Sequence, residues 1–172
     1  MQTRRYTRLP GMTLAVMLTL LVGQGLVFGH DDNRGGKADR IEGVWNLEEV
    51  ILSGCPTGDP VRTVADMNMF IHGGQLIETP GTPGVGAPPL KRGTPGLGTW
   101  QHLGKRHYSA VFRFFRFNGA DDTFVGTQIV YKDIELSQDG DAFTSTGTTD
   151  IFDATGTLIT TRCTTGTATR LE

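Results

Sequence analysis

Helical periodicity, a basic excess, more than two cysteines and an apolar run long enough to span a bilayer are all missing from these 172 residues. Each absence closes off a class of protein. From Ile41 onward no window of helical length carries apolar residues at three- and four-residue spacing, which argues against a helical bundle or an α/β sandwich. Sixteen Lys and Arg stand against eighteen Asp and Glu, for a formal charge of -2. That balance supplies no positive stripe for a phosphate backbone, so nucleic acid is not an expected partner.

The longest apolar run, Met12 to Val22, is broken by Gly23, Gln24 and Gly25. It stops short of the roughly 18–20 residues a spanning helix needs. Arg4, Arg5 and Arg8 precede it, and the small residues Gly25 and Gly29 follow. A basic head, a short apolar stretch and a small-residue end are the features of a secretory leader, expected over residues 1–29. An uncleaved anchor is the weaker reading. Loss of the leader removes three arginines and no acid, which moves the formal charge from -2 to -5. His30 to Arg40 is polar and suits a flexible lead-in to a single domain over residues 41–172.

Cys55 and Cys163 are the two cysteines, one near each end of that domain. In an oxidising compartment they are expected to pair, closing a long loop that would stabilise the fold by up to about 4–5 kcal/mol in the chain-entropy account. Two buried free thiols or a redox pair are the rival readings, and the lack of a Cys-x-x-Cys spacing disfavours the last.

Thr, Val, Ile and Phe alternate with polar residues along the whole domain, and turn residues cut the pattern into eight strands. These are expected near 43–53, 62–72, 75–79, 97–103, 106–117, 123–137, 141–153 and 157–170. Short hairpins join most of them, so the expected fold is all-β: an eight-stranded antiparallel up-and-down barrel, closed so that no edge is left unpaired. In such a meander the first and last strands are antiparallel neighbours. Trp45 with Arg170 and Cys55 with Cys163 fit one register to within a few residues.

Alternation along the second strand puts Met67, Met69 and Ile71 on one face, expected to be the buried one. In the fifth strand Tyr108, Ala110, Phe112 and Phe114 share a face, with Val111, Phe115 and Phe117 on the other. Between the third and fourth strands, Thr79 to Gly96 holds five of the eight prolines and Thr-Pro-Gly three times. It reads as an extended loop without a strand ladder, either a surface excursion or a flap over a barrel mouth.

Gly43-Val44-Trp45 on the opening strand and Ala168-Thr169-Arg170 at the end of the last carry a likeness. The chain resembles the lipocalins and other calycins, in which Gly-x-Trp opens the barrel and a basic residue of the closing strand packs over that Trp. The likeness covers residues 41–172 and implies a ligand-binding barrel with Arg170 as a structural residue. It also resembles exported bacterial proteins of unassigned activity through the run Phe70 to Thr79, Gly96 to Trp100 and Arg162-Cys163-Thr164. Two departures stand out: the long loop follows the third strand instead of the first, and no C-terminal helix is present.

No catalytic set emerges. Four histidines are present, with His102 and His107 flanking one turn, too few for a zinc site. The serines lack a strained Gly-x-Ser-x-Gly turn. Paired acids such as Glu48-Glu49 and Asp121-Asp122 fall on alternating faces or in turns, as solvated surface charge does. No cofactor is expected. The remaining candidate is the barrel interior, lined by Trp45, Met67, Met69, Tyr108, Phe112 and Phe114 with Trp100 at the mouth, as a site for a small apolar ligand. An interaction module using the long loop and the Phe115/Phe117 face is the alternative. A barrel cyclase or isomerase would need an internal acid or base that alternation does not reveal.

Overall fold

The computed structural model describes residues 40–81, 90–92 and 94–172. The expected leader over 1–29, the lead-in up to residue 39 and the middle of the Pro-rich segment lie outside the described residues. Among the described residues nine strands run in order: β1 (Gly43–Leu52), β2 (Pro60–Ile71), β3 (Gln75–Pro80), β4 (Leu90–Arg92), β5 (Gly96–Gly104), β6 (His107–Asn118), β7 (Phe124–Leu136), β8 (Ala142–Phe152) and β9 (Leu158–Arg170). Every pairing is antiparallel, and β1–β9 and β6–β7 close the sheet on itself.

The short β4 continues the lane of β5. It pairs Leu90–Arg92 with Asn118–Arg116 of β6, just beyond where Leu97 of β5 pairs with Arg113. The barrel therefore has eight lanes in up-and-down order. The Pro-rich segment is not the ladder-free loop its composition suggested: β3 runs to Pro80, opposite Asp66, and β4 lies within it. Pro80 fits because it faces Asp66 at a non-hydrogen-bonded position, the ladder bond being made by the next residue, Gly81 N to Ala65 O at 2.7 Å.

The register arithmetic holds. Trp45 pairs with Arg170 across β1 and β9, and Cys55 is bonded to Cys163 with Cα atoms 5.1 Å apart. Cys163 points outward from β9, so the disulfide fastens the β1–β2 loop to the outer wall.

One face assignment is reversed. On β2 the inward residues are Val64, Asp66, Asn68 and Phe70, whereas Met67 and Met69 are 41% and 42% exposed on the outer wall. The hydrophobic alternation misled because β2 crosses a part of the interior that is polar. On β6 the expected face is the inner one: Tyr108, Ala110, Phe112 and Phe114 are all buried.

Following the paired residues around the barrel from Trp45 through Asn68, Glu78 and Gly96 returns to β1 well past the starting point, so the strands are strongly tilted. Allowing for that tilt, the inner side chains fall into levels. The closed end is apolar: Trp45, Phe70, Leu76, Tyr108, Ile134, Leu136, Phe143 and Ala168 form its part of the core. Trp45 packs on Phe143 with ring centroids 4.9 Å apart, and Ile41, which is fully buried, accepts the Trp45 Nε1 hydrogen bond at 2.8 Å.

Candidate ligand site in the open half of the barrel

Above the apolar end lies a polar level. Glu49 of β1, Asp66 and Asn68 of β2, Glu78 of β3 and Lys132 of β7 all point inward and are buried. Lys132 Nζ donates to Glu49 Oε1 at 2.8 Å and stands 5.9 Å from the centre of the Phe112 ring. Dehydrating two such ions carries a penalty of several kcal/mol each, which an apolar pair would avoid. Well-packed apolar side chains of similar size would be as stable or more so.

Asn68 sits opposite Trp45 on one side and Glu78 on the other. It has no exposed surface, and neither Oδ1 nor Nδ2 has a hydrogen-bond partner among the described residues. Leaving buried polar groups unsatisfied costs about 1–3 kcal/mol each. Glu78 is also fully buried, and its carboxylate fills the space that a side chain at position 96 would take. A Cβ on Gly96 would come within 2.6 Å of both Glu78 Oε2 and the Phe112 ring, so glycine is required there.

Nearer the open end the inner wall changes again. Ile51, Val64, Gln128 and Ile151 are inward-facing yet only half buried, while Phe114, Val130, Thr149 and Thr164 are buried. Gln128 Nε2 donates to Thr149 Oγ1 at 2.8 Å. Partial exposure of inward residues marks this end as open to solvent, in contrast to the sealed end below Trp45. Three arginines stand at the rim: Arg62 on β2, Arg116 on β6 and Arg162 on β9. Burial lowers the pKa of Arg116 from its ordinary value, as expected of a side chain turned toward the interior.

The residues expected to hold a ligand are thus divided among three places. Phe112 and Phe114 line the interior at and above the polar level. Trp45 and Tyr108 are packed into the closed end. Trp100 is not at the mouth but at that same closed end, where its Nε1 donates to Ile71 O at 3.0 Å and its ring meets Tyr108 edge-on at 5.8 Å. Met67 and Met69 face away from the interior altogether. His102 and His107 do not meet: His102 lies opposite Tyr108 and its Nε2 is 2.6 Å from Lys105 O, while His107 Nε2 is 2.9 Å from Glu135 Oε2. Among the described residues no group of three or more His, Cys, Asp or Glu is placed to hold a metal ion.

Glu49, Asp66, Asn68, Glu78 and Lys132 escaped the sequence reading because each looks like a surface residue in its own strand. The signal lay across strands. Trp45 must be inside, and the residue paired with it on β2 is then inside too, but the seven-residue connection between β1 and β2 hides which residue that is.

Fold and site together define the class: a closed eight-stranded antiparallel barrel, apolar at one end and polar toward the other. No protein-family model matches the chain, and no curated protein is significantly similar to it.

Proposed function

We propose that the chain is an exported, lipocalin-like binding protein whose barrel takes up a small molecule through its open end. The ligand combines an apolar body, matched to Ile51, Val64, Phe114, Val130 and Ile151, with at least one hydrogen-bonding group that reaches Asn68. The observation that carries this reading is Asn68 itself, a wholly buried carboxamide with neither polar atom hydrogen-bonded among the described residues. Gly43-Val44-Trp45 beneath Arg170 supports the lipocalin likeness, since a Cβ on Gly43 would lie 2.8 Å from an Arg170 nitrogen. The disulfide and the leader-like residues 1–29 support export to an oxidising compartment.

Titration with N-phenyl-1-naphthylamine, an apolar fluorophore with one N–H donor, tests the proposal. The wild-type protein is expected to enhance its fluorescence saturably, and Asn68→Leu to bind it about tenfold more weakly while melting at an equal or higher temperature. Absence of saturable binding to the wild type, or equal binding by the variant, rejects the reading.

A second reading, acid–base catalysis inside the barrel, is favoured by the buried Glu49, Lys132 and Glu78 beside Asn68. It predicts turnover of a bound molecule that Glu78→Gln abolishes without loss of probe binding.

A further inference from the structure

The rim of the open end carries three arginines. Arg62, Arg116 and Arg162 come from β2, β6 and β9, which are well separated around the barrel, yet the tilt of the strands brings all three to one level at the open end. All three share the inward alternation of their strands: Arg62 with Val64 and Asp66, Arg116 with Phe112 and Phe114, Arg162 with Thr164 and Gly166. Each is half buried. Arg162 is anchored through one terminal nitrogen to Ser53 O at 2.6 Å, and the Nε of Arg62 is buried with no hydrogen-bond partner among the described residues.

Three of the acids at the same end are engaged elsewhere. Asp153 accepts hydrogen bonds from Thr155 and Thr157 within its own turn, Asp121 accepts from Thr123, and Asp150 lies on the outer face bonded to Thr161. Among the described residues, none of the three arginines has a carboxylate within ion-pairing distance. The buried acids Glu49, Asp66 and Glu78 lie a level lower, and Glu49 is held by Lys132. Three inward-alternating arginines at one level of the rim, above apolar walls, offer the donors that a planar or tetrahedral anion accepts from.

We infer that the ligand is a small amphiphile carrying a carboxylate or phosphate group, with the anion held among Arg62, Arg116 and Arg162 and the apolar body directed toward Phe114 and Val130. This rests on the binding role proposed above and adds the chemical class of the ligand.

A matched pair of probes separates the two. N-phenyl-1-naphthylamine is neutral, and 8-anilino-1-naphthalenesulfonate is the same skeleton bearing a sulfonate. The wild type is expected to prefer the sulfonate at least tenfold in low salt, a preference that shrinks as salt is added. In Arg62→Gln and Arg116→Gln that ratio of affinities falls toward one. In Arg113→Gln, which removes an exposed arginine of the outer face of β6, it is unchanged. Dodecanoate and dodecyl phosphate as competitors then tell a carboxylate from a phosphate ligand, and displacement by either supports the inference. Binding of the neutral probe with no preference for the sulfonate overturns the charge assignment and leaves the binding role standing; binding of neither probe overturns both. Displacement by inorganic phosphate at the same concentration as the dodecyl compounds overturns the amphiphile and reduces the rim to a simple anion site.

Discussion

The guanidinium of Arg170, next to the last residue pair of the chain, lies 4.2 Å from the centre of the Trp45 ring near the start of β1. Its nitrogens donate to three main-chain carbonyls from separate segments: Gly140 at 2.8 Å, Glu42 at 2.7 Å and Arg40 at 2.6 Å. One side chain thus ties the β7–β8 turn, the lead into β1 and the end of β9 over the closed end. Burial lowers the Arg170 pKa from its ordinary value, with Asp141, Glu42 and Tyr108 opposing that shift, yet a guanidinium stays charged throughout any working pH.

Replacing Arg170 by Ala should therefore destabilise the protein by about 2–4 kcal/mol, through lost charge-assisted hydrogen bonds and the cation–ring contact. Arg170→Lys should recover less than half of that, because one ammonium group cannot reproduce the planar fork. Urea denaturation followed by Trp fluorescence measures both. A loss below about 0.5 kcal/mol, the range of ordinary surface substitutions, would mean that the closed end holds together without this residue.

The disulfide closes a loop with a sequence separation of 108 residues between Cys55 and Cys163. Its reduction, or the paired change to Ser, should lower stability by up to about 4–5 kcal/mol in the chain-entropy account while leaving the far-ultraviolet spectrum all-β. Urea midpoints with and without a phosphine reductant provide the comparison. An unchanged midpoint would show that the unfolded chain is not constrained by this link.

The buried Glu49–Lys132 pair should behave asymmetrically. Glu49→Gln or Lys132→Met alone leaves a charge in the interior without its counter-ion and should cost about 3–5 kcal/mol. Glu49→Leu combined with Lys132→Met removes both charges and should restore most of the loss, since apolar side chains of similar size avoid dehydrating two ions. Thermal melts of the two single variants and the double variant decide it. Additive losses in the double variant would contradict an isolated pair.

At the β8–β9 turn, hydrogen bonds from Thr155 and Thr157 hold the Asp153 carboxyl below the usual carboxylate range. A folded-state pKa below the unfolded one adds stability that is complete above the unfolded value and disappears as pH falls through the folded value. Wild type should accordingly exceed Asp153→Asn in stability near neutral pH. The gap should narrow as pH falls below the ordinary carboxylate value and close once the folded carboxyl is itself protonated. Parallel urea titrations across that range test the sign, and a gap independent of pH would remove the charge from the explanation.

Sequence alone determined the eight lanes of the barrel, the hairpin order, the Trp45–Arg170 register and the Cys55–Cys163 bond. Those follow from turn residues and period-two alternation, which are local, and from the constant sum that antiparallel pairing imposes on two distant strands. The face of β6 was legible for the same reason, because Tyr108, Phe112 and Phe114 recur at every second or fourth position. What lies inside the rest of the barrel was decided only by tertiary structure. Met67 and Met69 alternate as a core face should, yet pairing with Trp45 turns Asn68 inward and the methionines out. Trp100 likewise went to the closed end because β5 starts at the polar level, beside Glu78, and runs away from the opening. Side-chain chemistry in one strand cannot report the polarity of what stands across the barrel. The buried cluster of Glu49, Asp66, Asn68, Glu78 and Lys132, and the three arginines above it, exist only once eight tilted strands are wrapped around a common axis.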